Sequence, residues 1–503
     1  MFVYLCIVHA WTIFLYPLGR DYRCLAQPES MPAWVRQVFE LEMQGFGTGL
    51  PGYHLVNLML LYAGMVALFF FTRYAVRGPW WLGSLAAVLW MANPAKSEAV
   101  LNLSGVRDLL PVFFALAAMT AYAAHVLRPR WWKLSAALLL FAVATLSFQV
   151  NLMLLLAVLL FEGLVAEPHE RRWSRTLLFV LLGVAGLYLH RGLLSWSSLN
   201  PAEMFGPLLL IFYPIGLLPE TAGRLHTYPI LGWLSAAAFI MLLVLIDRKA
   251  RHSALRFGLL AALAVRLFQA DHTIDPVHTV GGGQLLLAMA FVSVAFSALC
   301  RRMVQHPKWH LPVIFLTTVL CVVFFVLQGR VNWAWRHAGQ QVQAFQAQAA
   351  ETAQAHPGET LGVLPDYQYY RGAPMMLSDS VAFDTLFSKA LPVVFLLPLH
   401  YDVPSAWGGT LDYAMADSRV PLLEVYFKGV PTDYICAPYA LDGNRIPGTE
   451  HPVADVRMTD DLPCIRGPGF VAAIRSEEAT LPRVWVSFLQ RACETEPEGT
   501  VQP

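Results

Sequence analysis

Charge is what this sequence has least of. Only 14% of its 503 residues are Asp, Glu, Lys or Arg, while 57% are hydrophobic. A soluble domain carries about 25% charged and about 45–50% apolar residues. The shortfall excludes a disordered chain, a coiled coil and an ordinary soluble enzyme. The 35 basic and 34 acidic residues nearly cancel, to +1, so no basic field marks the chain for nucleic acid. No CxxC pair occurs, which removes a thioredoxin site and a zinc ribbon. A nucleotide-binding glycine motif and an internal repeat are also missing. What remains is a mean hydropathy of +0.51, concentrated in long apolar runs. These predict a polytopic α-helical membrane protein with soluble mass attached.

The runs are confined to residues 1–330, the multi-span membrane domain. They fall at 1–17, 52–72, 80–93, 109–127, 133–148, 150–166, 176–190, 229–246, 257–270, 283–300 and 311–328, giving about 11 transmembrane helices. Runs 133–148 and 150–166 have almost no joint and must form a tight hairpin. Met204–Leu218 reads as re-entrant or interfacial. Met1–Tyr16 lacks a basic flank and a small-residue cleavage site, so it reads as an uncleaved first span. Every even joint is basic: Arg73 and Arg77; Arg128, Arg130 and Lys133; Arg171, Arg172 and Arg175; Arg248, Lys249 and Arg251; Arg301, Arg302 and Lys308. Basic joints stay in the cytoplasm. The N-terminus is then cytoplasmic and the C-terminal tail external, as for a bacterial inner membrane protein with a periplasmic domain.

Residues 331–355 read as a helical connector, with Ala344–Ala355 suited to a helix leaving the membrane. Residues 356–503 read as an external α/β domain. Strand character falls at Glu359–Leu364, Val393–Leu397 and Gly469–Ile474, and helical character at Ser380–Ala390. Leu391–Leu399 is too short to span and reads as a buried strand. The tail holds Cys436, Cys464 and Cys493, and the first external loop holds Cys24. In an oxidising compartment Cys436 and Cys464 can bridge, and free buried thiols are an equal reading.

Polar residues at a membrane face are costly and are therefore functional candidates. They form three clusters on the external side. The first, within Pro17–Pro51 and the following span, holds Asp21, Arg23, Arg36, Glu40 and Glu42, then Gly52-Tyr53-His54-Leu55-Val56-Asn57. His54 and Asn57 are i and i+3 and share a helix face. A carboxylate here can serve as a general base toward an acceptor hydroxyl; taken singly, Asp21, Glu40 and Glu42 each read as solvated loop charges. The second cluster runs from Asn93-Pro94 through Lys96, Ser97, Glu98, Asn102 and Ser104 to Arg107-Asp108. It reads as a helix stop followed by a short amphipathic helix at the interface. Arg107 can hold a phosphate through a forked pair of hydrogen bonds, or it can snorkel, as can Lys96. The third, Asp271-His272-Thr273-Ile274-Asp275-Pro276-Val277-His278, can ligate a divalent metal or be an ordinary polar loop, and the latter is favoured.

The run Gly45-Phe46-Gly47, then Pro51-Gly52-Tyr53-His54-Leu55-Val56-Asn57-Leu58, with Asn93-Pro94-Ala95-Lys96-Ser97-Glu98-Ala99-Val100 and Ser104-Gly105-Val106-Arg107-Asp108-Leu109-Leu110, resembles the C-type membrane glycosyltransferases. The likeness is to the branch of tetratricopeptide-bearing protein O-mannosyltransferases and their bacterial relatives, and it covers about residues 40–190. Leu364-Pro365-Asp366-Tyr367 and Tyr370-Arg371-Gly372-Ala373 are similar to a segment after the last span of bacterial members. The resemblance implies a cavity formed by external loops, a polyprenyl-phosphate-linked sugar as donor, and transfer to a protein, lipid or glycan. It implies Asp21 as the catalytic acid of the first external loop, either as general base or holding a divalent metal. It carries substrate binding to His54, Asn57, Glu98, Arg107 and Asp108, with Arg191 a second contact to the donor phosphate.

Four positions depart from the family pattern. The paired acid is Asp21-Tyr22, the His-Pro is Asn93-Pro94, a Ser-Lys-Glu span end is Ser147-Phe148-Gln149, and an Arg and Tyr pair before the tenth span is Gly281-Gly282-Gly283. The lost Lys removes a charge-assisted contact to a lipid phosphate, of the kind that stabilises a leaving phosphate. An active transferase and a catalytically degenerate relative, serving a membrane complex as a structural or assembly subunit through its C-terminal domain, are the two readings that follow. A transporter has little support, since duplicated halves are absent and mid-span charges are scarce.

Overall fold

In the computed structural model the described residues are 8–18, 21–26, 28–47, 49–146, 148–189, 254–267 and 282–355, followed by short strand segments up to 487. The chain divides into two compact units. The first takes in residues 1–15, 28–336 and 371–373, and the second residues 16–27, 337–370 and 374–503.

The helices start and stop where local chemistry says they should. In chain order they are α1 (Asp21–Ala26), α2 (Ala33–Phe46), α3 (Leu50–Val76), α4 (Trp80–Ala92), α5 (Ser97–Leu101), α6 (Val106–Leu127), α7 (Trp131–Thr145), α8 (Phe148–Leu164), α9 (Trp173–Leu189), α10 (Ala254–Leu267), α11 (Leu286–Val304) and α12 (His310–Ala355). Pro51 occupies the first turn of α3, where its missing N–H costs nothing. Arg77 closes α3 in the left-handed region, at φ 51°. Asn93 stops α4 because the following Pro94 disfavours helical geometry before it.

Among the described residues four stretches are long and apolar enough to cross a membrane: Leu50–Val76, Leu103–Leu127, Leu286–Val304 and Pro307–Gln340. Shorter apolar helices lie at Trp80–Ala92, Trp131–Thr145, Leu152–Leu164, Trp173–Gly186 and Ala254–Val265. Helices therefore occupy nine of the apolar runs, and α7 and α8 are separated by two residues. In the first run the described residues are helical at Val8 and His9, then form a 3-10 turn, Ala10–Phe14, that ends in extended backbone at Leu15. Pro17 accounts for the early stop, since its ring keeps Tyr16 out of helical geometry. Run 229–246 and the stretch Met204–Leu218 lie outside the described residues. The connector is not a separate element: α12 continues through it as one helix of 46 residues.

Inside a bilayer, apolar burial does not drive helices together, so close packing must. In the first unit Phe71, Tyr122, Phe141, Phe161, Phe179, Phe257 and Phe291, from seven helices, meet with ring centroids 5.0–6.4 Å apart. Small residues let the backbones approach. A Cβ on Gly258 would lie 2.5 Å from the Phe291 carbonyl oxygen. Trp90 Nε1 donates to the Leu286 carbonyl at 2.8 Å and locks α4 to α11. By contrast α12 exposes Leu311, Ile314, Phe315, Val322 and Val326, an apolar surface suited to lipid. Exposed Trp80, Trp131, Trp173 and Trp309 stand at helix starts just after basic joints, as aromatic residues do at a membrane boundary.

In the second unit the described backbone beyond α12 forms short strands: β1 (Leu361–Leu364), β2 (Tyr369–Tyr370), β3 (Ala373–Pro374, whose Ala373 belongs to the first unit), β4 (Val393–His400), β5 (Thr410–Met415), β6 (Leu422–Lys428), β7 (Thr432–Tyr439), β8 (Pro452–Thr459), β9 (Leu462–Arg466) and β10 (Val484–Ser487). Eight pair in the order β10-β1-β4-β5-β6-β7-β8-β9. The β1 pairs are parallel, while β4 to β9 form an antiparallel meander. Cys436 and Cys464 fall on β7 and β9, the two strands flanking β8. The segments Ser380–Ala390 and Gly469–Ile474 lie outside the described residues.

Candidate functional site

The two clusters separated by about forty residues of sequence meet in the first unit. Asn57, in the second turn of α3, donates through Nδ2 to the Asn102 carbonyl at 2.7 Å. Gly105 makes this approach possible: a Cβ there would sit 2.1 Å from the Ala99 carbonyl oxygen and 2.7 Å from Asn57 Nδ2. His54 Nε2 lies 3.2 Å from the Leu15 carbonyl and ties the N-terminal segment to the same turn. His54, Asn57, Glu98 and Asn102 are all buried.

The interfacial reading of the second cluster is overturned. Every residue from Asn93 to Val106 is buried. The segment folds inward as three short turns, Pro94–Lys96, Ser97–Leu101 and Leu103–Gly105. The Asn93 side chain caps the first by accepting the Ala95 amide at 2.9 Å. Lys96 therefore does not snorkel. It is fully buried, and its ammonium donates to Gln328 Oε1 of α12 at 3.3 Å. Gln328 Nε2 donates to Ser97 Oγ at 3.0 Å and to Asn332 Oδ1 at 2.6 Å. Asn332 Nδ2 reaches the Val8 carbonyl at 2.9 Å. Among the described residues Lys96 makes no ion pair with a carboxylate, and burial pulls its amine down to about 7.

Several buried polar atoms here have no hydrogen-bond partner: both ring nitrogens of His9, Nδ1 of His54, Oδ1 of Asn57, and both side-chain heteroatoms of Asn102. Buried polar groups are ordinarily satisfied, so a concentration of exceptions marks a place where a ligand or a changing contact is expected.

Arg107 and Asp108 are half-buried at the start of α6. Asp108 faces the glycine run: a Cβ on Gly283 would lie 2.3 Å from Asp108 Oδ2. The Gly283 backbone thus occupies the space beside this carboxylate. In the second unit, Asp21 opens α1 and is buried, and its Oδ2 accepts the Leu18 amide at 3.3 Å. Glu42, on α2, is also buried. Glu40 is not in a loop: it lies half-buried on α2 and pairs with Arg36, one turn earlier, at 3.6 Å. The loop reading also fails for Asp21, which is buried at the start of α1, and for Glu42, because α2 folds its Val35, Phe39 and Glu42 face inward. Arg191 and the stretch Asp271–His278 lie outside the described residues. Among the described residues no group of three or more His, Cys, Asp or Glu is placed to hold a metal.

Sequence reasoning missed His9, Lys96 as a buried group, Gln328 and Asn332. Gln328 and Asn332 are i and i+4 on one face of an otherwise apolar run. That spacing was the available signal. Compared with known proteins, the chain matches no protein-family model and no curated protein.

Proposed function

We propose that this chain is a membrane glycosyltransferase-like protein that transfers a sugar from a polyprenyl-phosphate donor to an external acceptor. The observation carrying this reading is the buried, incompletely paired cluster of Lys96, His54, Asn57 and Asn102, drawn from the segments that resemble the family. In this reading Asp21 takes the acceptor hydroxyl proton as its oxygen attacks the sugar's anomeric carbon, and the polyprenyl phosphate leaves. Arg107 and Arg191 contact that phosphate. His54, Asn57, Glu98 and Asp108 position loop and sugar. The reading includes eleven spans, a cytoplasmic N-terminus, a bacterial inner membrane and a periplasmic C-terminal α/β domain. The exposed tryptophans beside basic joints support its orientation.

The test is transfer by membranes containing the full chain and a lipid-linked sugar. Asp21→Asn abolishes transfer if the reading is right; full activity in that variant removes Asp21 from the mechanism.

One observation favours a second reading, in which the protein is a degenerate relative acting as an assembly subunit. Gly283 packs its backbone against Asp108, where relatives carry larger, charged side chains. Co-purification of a stable membrane partner, without binding of lipid-linked sugar, supports that reading, and measured donor turnover contradicts it.

A further inference from the structure

Glu42 is the one carboxylate among the described residues whose two oxygens are both buried and without a hydrogen-bond partner. It is 6% exposed. It sits three residues after Phe39 and four before Phe46, so the three share one face of α2. Tyr53, on α3, lies across that face, with its ring centroid 6.0 Å from Phe39 and 5.6 Å from Phe46. The Tyr53 hydroxyl does not serve Glu42: it donates to the Gly47 carbonyl at 2.9 Å. The nearest cation in sequence, Arg36, is engaged with Glu40.

An ionised carboxylate left this way needs a positive partner. Aromatic faces around it favour an ammonium in particular, since ring quadrupoles attract a cation that the carboxylate neutralises. Phe39 and Tyr53 are fully buried, while Phe46 is 39% exposed. Phe46 rests on Gly52, where a Cβ would come within 2.4 Å of the ring.

The place of α2 in the chain points to the source of the cation. It is followed closely by the apolar α3, and it exposes Leu41 at 65%. A helix with exposed apolar residues next to a span lies at the boundary of the bilayer, at headgroup depth. The cations of a bilayer at that depth are lipid headgroup amines.

We propose that Phe39, Glu42, Phe46 and Tyr53 form a binding site for the primary ammonium of an aminophospholipid. The carboxylate of Glu42 receives the ammonium, the three rings enclose its methylene carbons, and the lipid holds α2 against the start of α3. The site is separate from the transferase reading and stands whether or not the chain turns over a donor.

The test uses the full chain in nanodiscs of phosphatidylglycerol, with increasing phosphatidylethanolamine or its N-acetylated form, which keeps the phosphate and chains but replaces the ammonium by a neutral amide. Native mass spectrometry counts retained lipid, and thermal denaturation follows stability. Retention of phosphatidylethanolamine over the N-acetylated lipid, lost about tenfold or more in the isosteric Glu42→Gln, is the expected result. Gly52→Ala, which displaces Phe46 and keeps the carboxylate, weakens retention as well. Equal retention of both lipids, or unchanged preference in Glu42→Gln, overturns the site. Complete displacement by millimolar soluble ethanolamine, with no preference for lipid, overturns the lipid assignment.

Discussion

The two ends of the helix bundle in the first unit handle buried polarity in opposite ways. At the end where α3 and α6 finish, charge meets charge. Arg175 Nη2 reaches Glu162 at 2.8 Å, and the Tyr122 hydroxyl donates to the same carboxylate at 2.6 Å. Arg77 bridges Glu167 and Glu170. Where α3 and α6 begin, Lys96 is buried with an amide for a partner, and His9, His54, Asn57 and Asn102 keep unsatisfied atoms. The first arrangement is what a structural clasp requires, because a buried ion is tolerable only when it is paired and hydrogen-bonded. The second sacrifices stability, as a site that must receive something else does.

Breaking the clasp has the largest expected effect. Glu162→Ala strands Arg175 in the interior and lowers stability by about 3–5 kcal/mol, and Arg175→Met strands Glu162 to the same degree. The double variant, with both charges gone, recovers much of the loss. Denaturation in detergent measures all three.

Gly105→Ala comes next. Its methyl meets the Ala99 carbonyl and Asn57 Nδ2, so the turn must shift. Overpacking of this kind costs about 1–3 kcal/mol. Function falls further than stability if this end is the site, and the ratio of the two losses separates a site from a clasp.

Lys96→Met sharpens the contrast, since replacing a buried unpaired cation by a well-packed apolar chain is neutral or stabilising. It also changes the pH profile. The Lys96 amine is held at about 7, below its ordinary value of 10.5, so the folded state binds protons less readily than the unfolded one. The stability linked to Lys96 is complete above about pH 10.5 and is lost as pH falls through about 7. Melting temperatures between these values lose that slope in Lys96→Met.

Glu42 carries the opposite slope. Burial pushes its carboxyl from 4.5 up to about 8, so in the absence of a bound cation its contribution is complete below about pH 4.5 and fades as pH rises through about 8. Glu42→Gln flattens that window. The smallest effect belongs to the partly exposed Arg36–Glu40 pair, at 33% and 45% side-chain exposure. Arg36→Gln changes stability by less than about 0.5 kcal/mol, and a larger change means that α2 is held otherwise than described.

The helices were legible because lipid imposes one simple rule, a long apolar run. Asn93-Pro94 marked a helix stop that the structure keeps. The meeting of His54 and Asn57 with the second cluster was legible as a pair of motifs, although not as the Asn57–Asn102 bond that joins them. The burial of Asn93–Val106 was hidden because its charges and turn residues suit a surface. Only the long-range partners, Gln328 and Asn332 over two hundred residues away, make its interior tolerable. The clasp was hidden for a related reason: Arg171, Arg172 and Arg175 read as a boundary signal, while a lone Glu162 inside an apolar run was the sign that one of them turns inward.

The central claim is that the end bearing Lys96 serves function and the end bearing Glu162 serves stability. Its most direct test is donor transfer and melting temperature measured side by side on Lys96→Met and Glu162→Ala in the same membranes. The account predicts that Lys96→Met melts at or above wild type while transfer is lost, and that Glu162→Ala melts far lower. A Lys96→Met protein that loses stability as Glu162→Ala does, yet still transfers sugar at the wild-type rate, contradicts it.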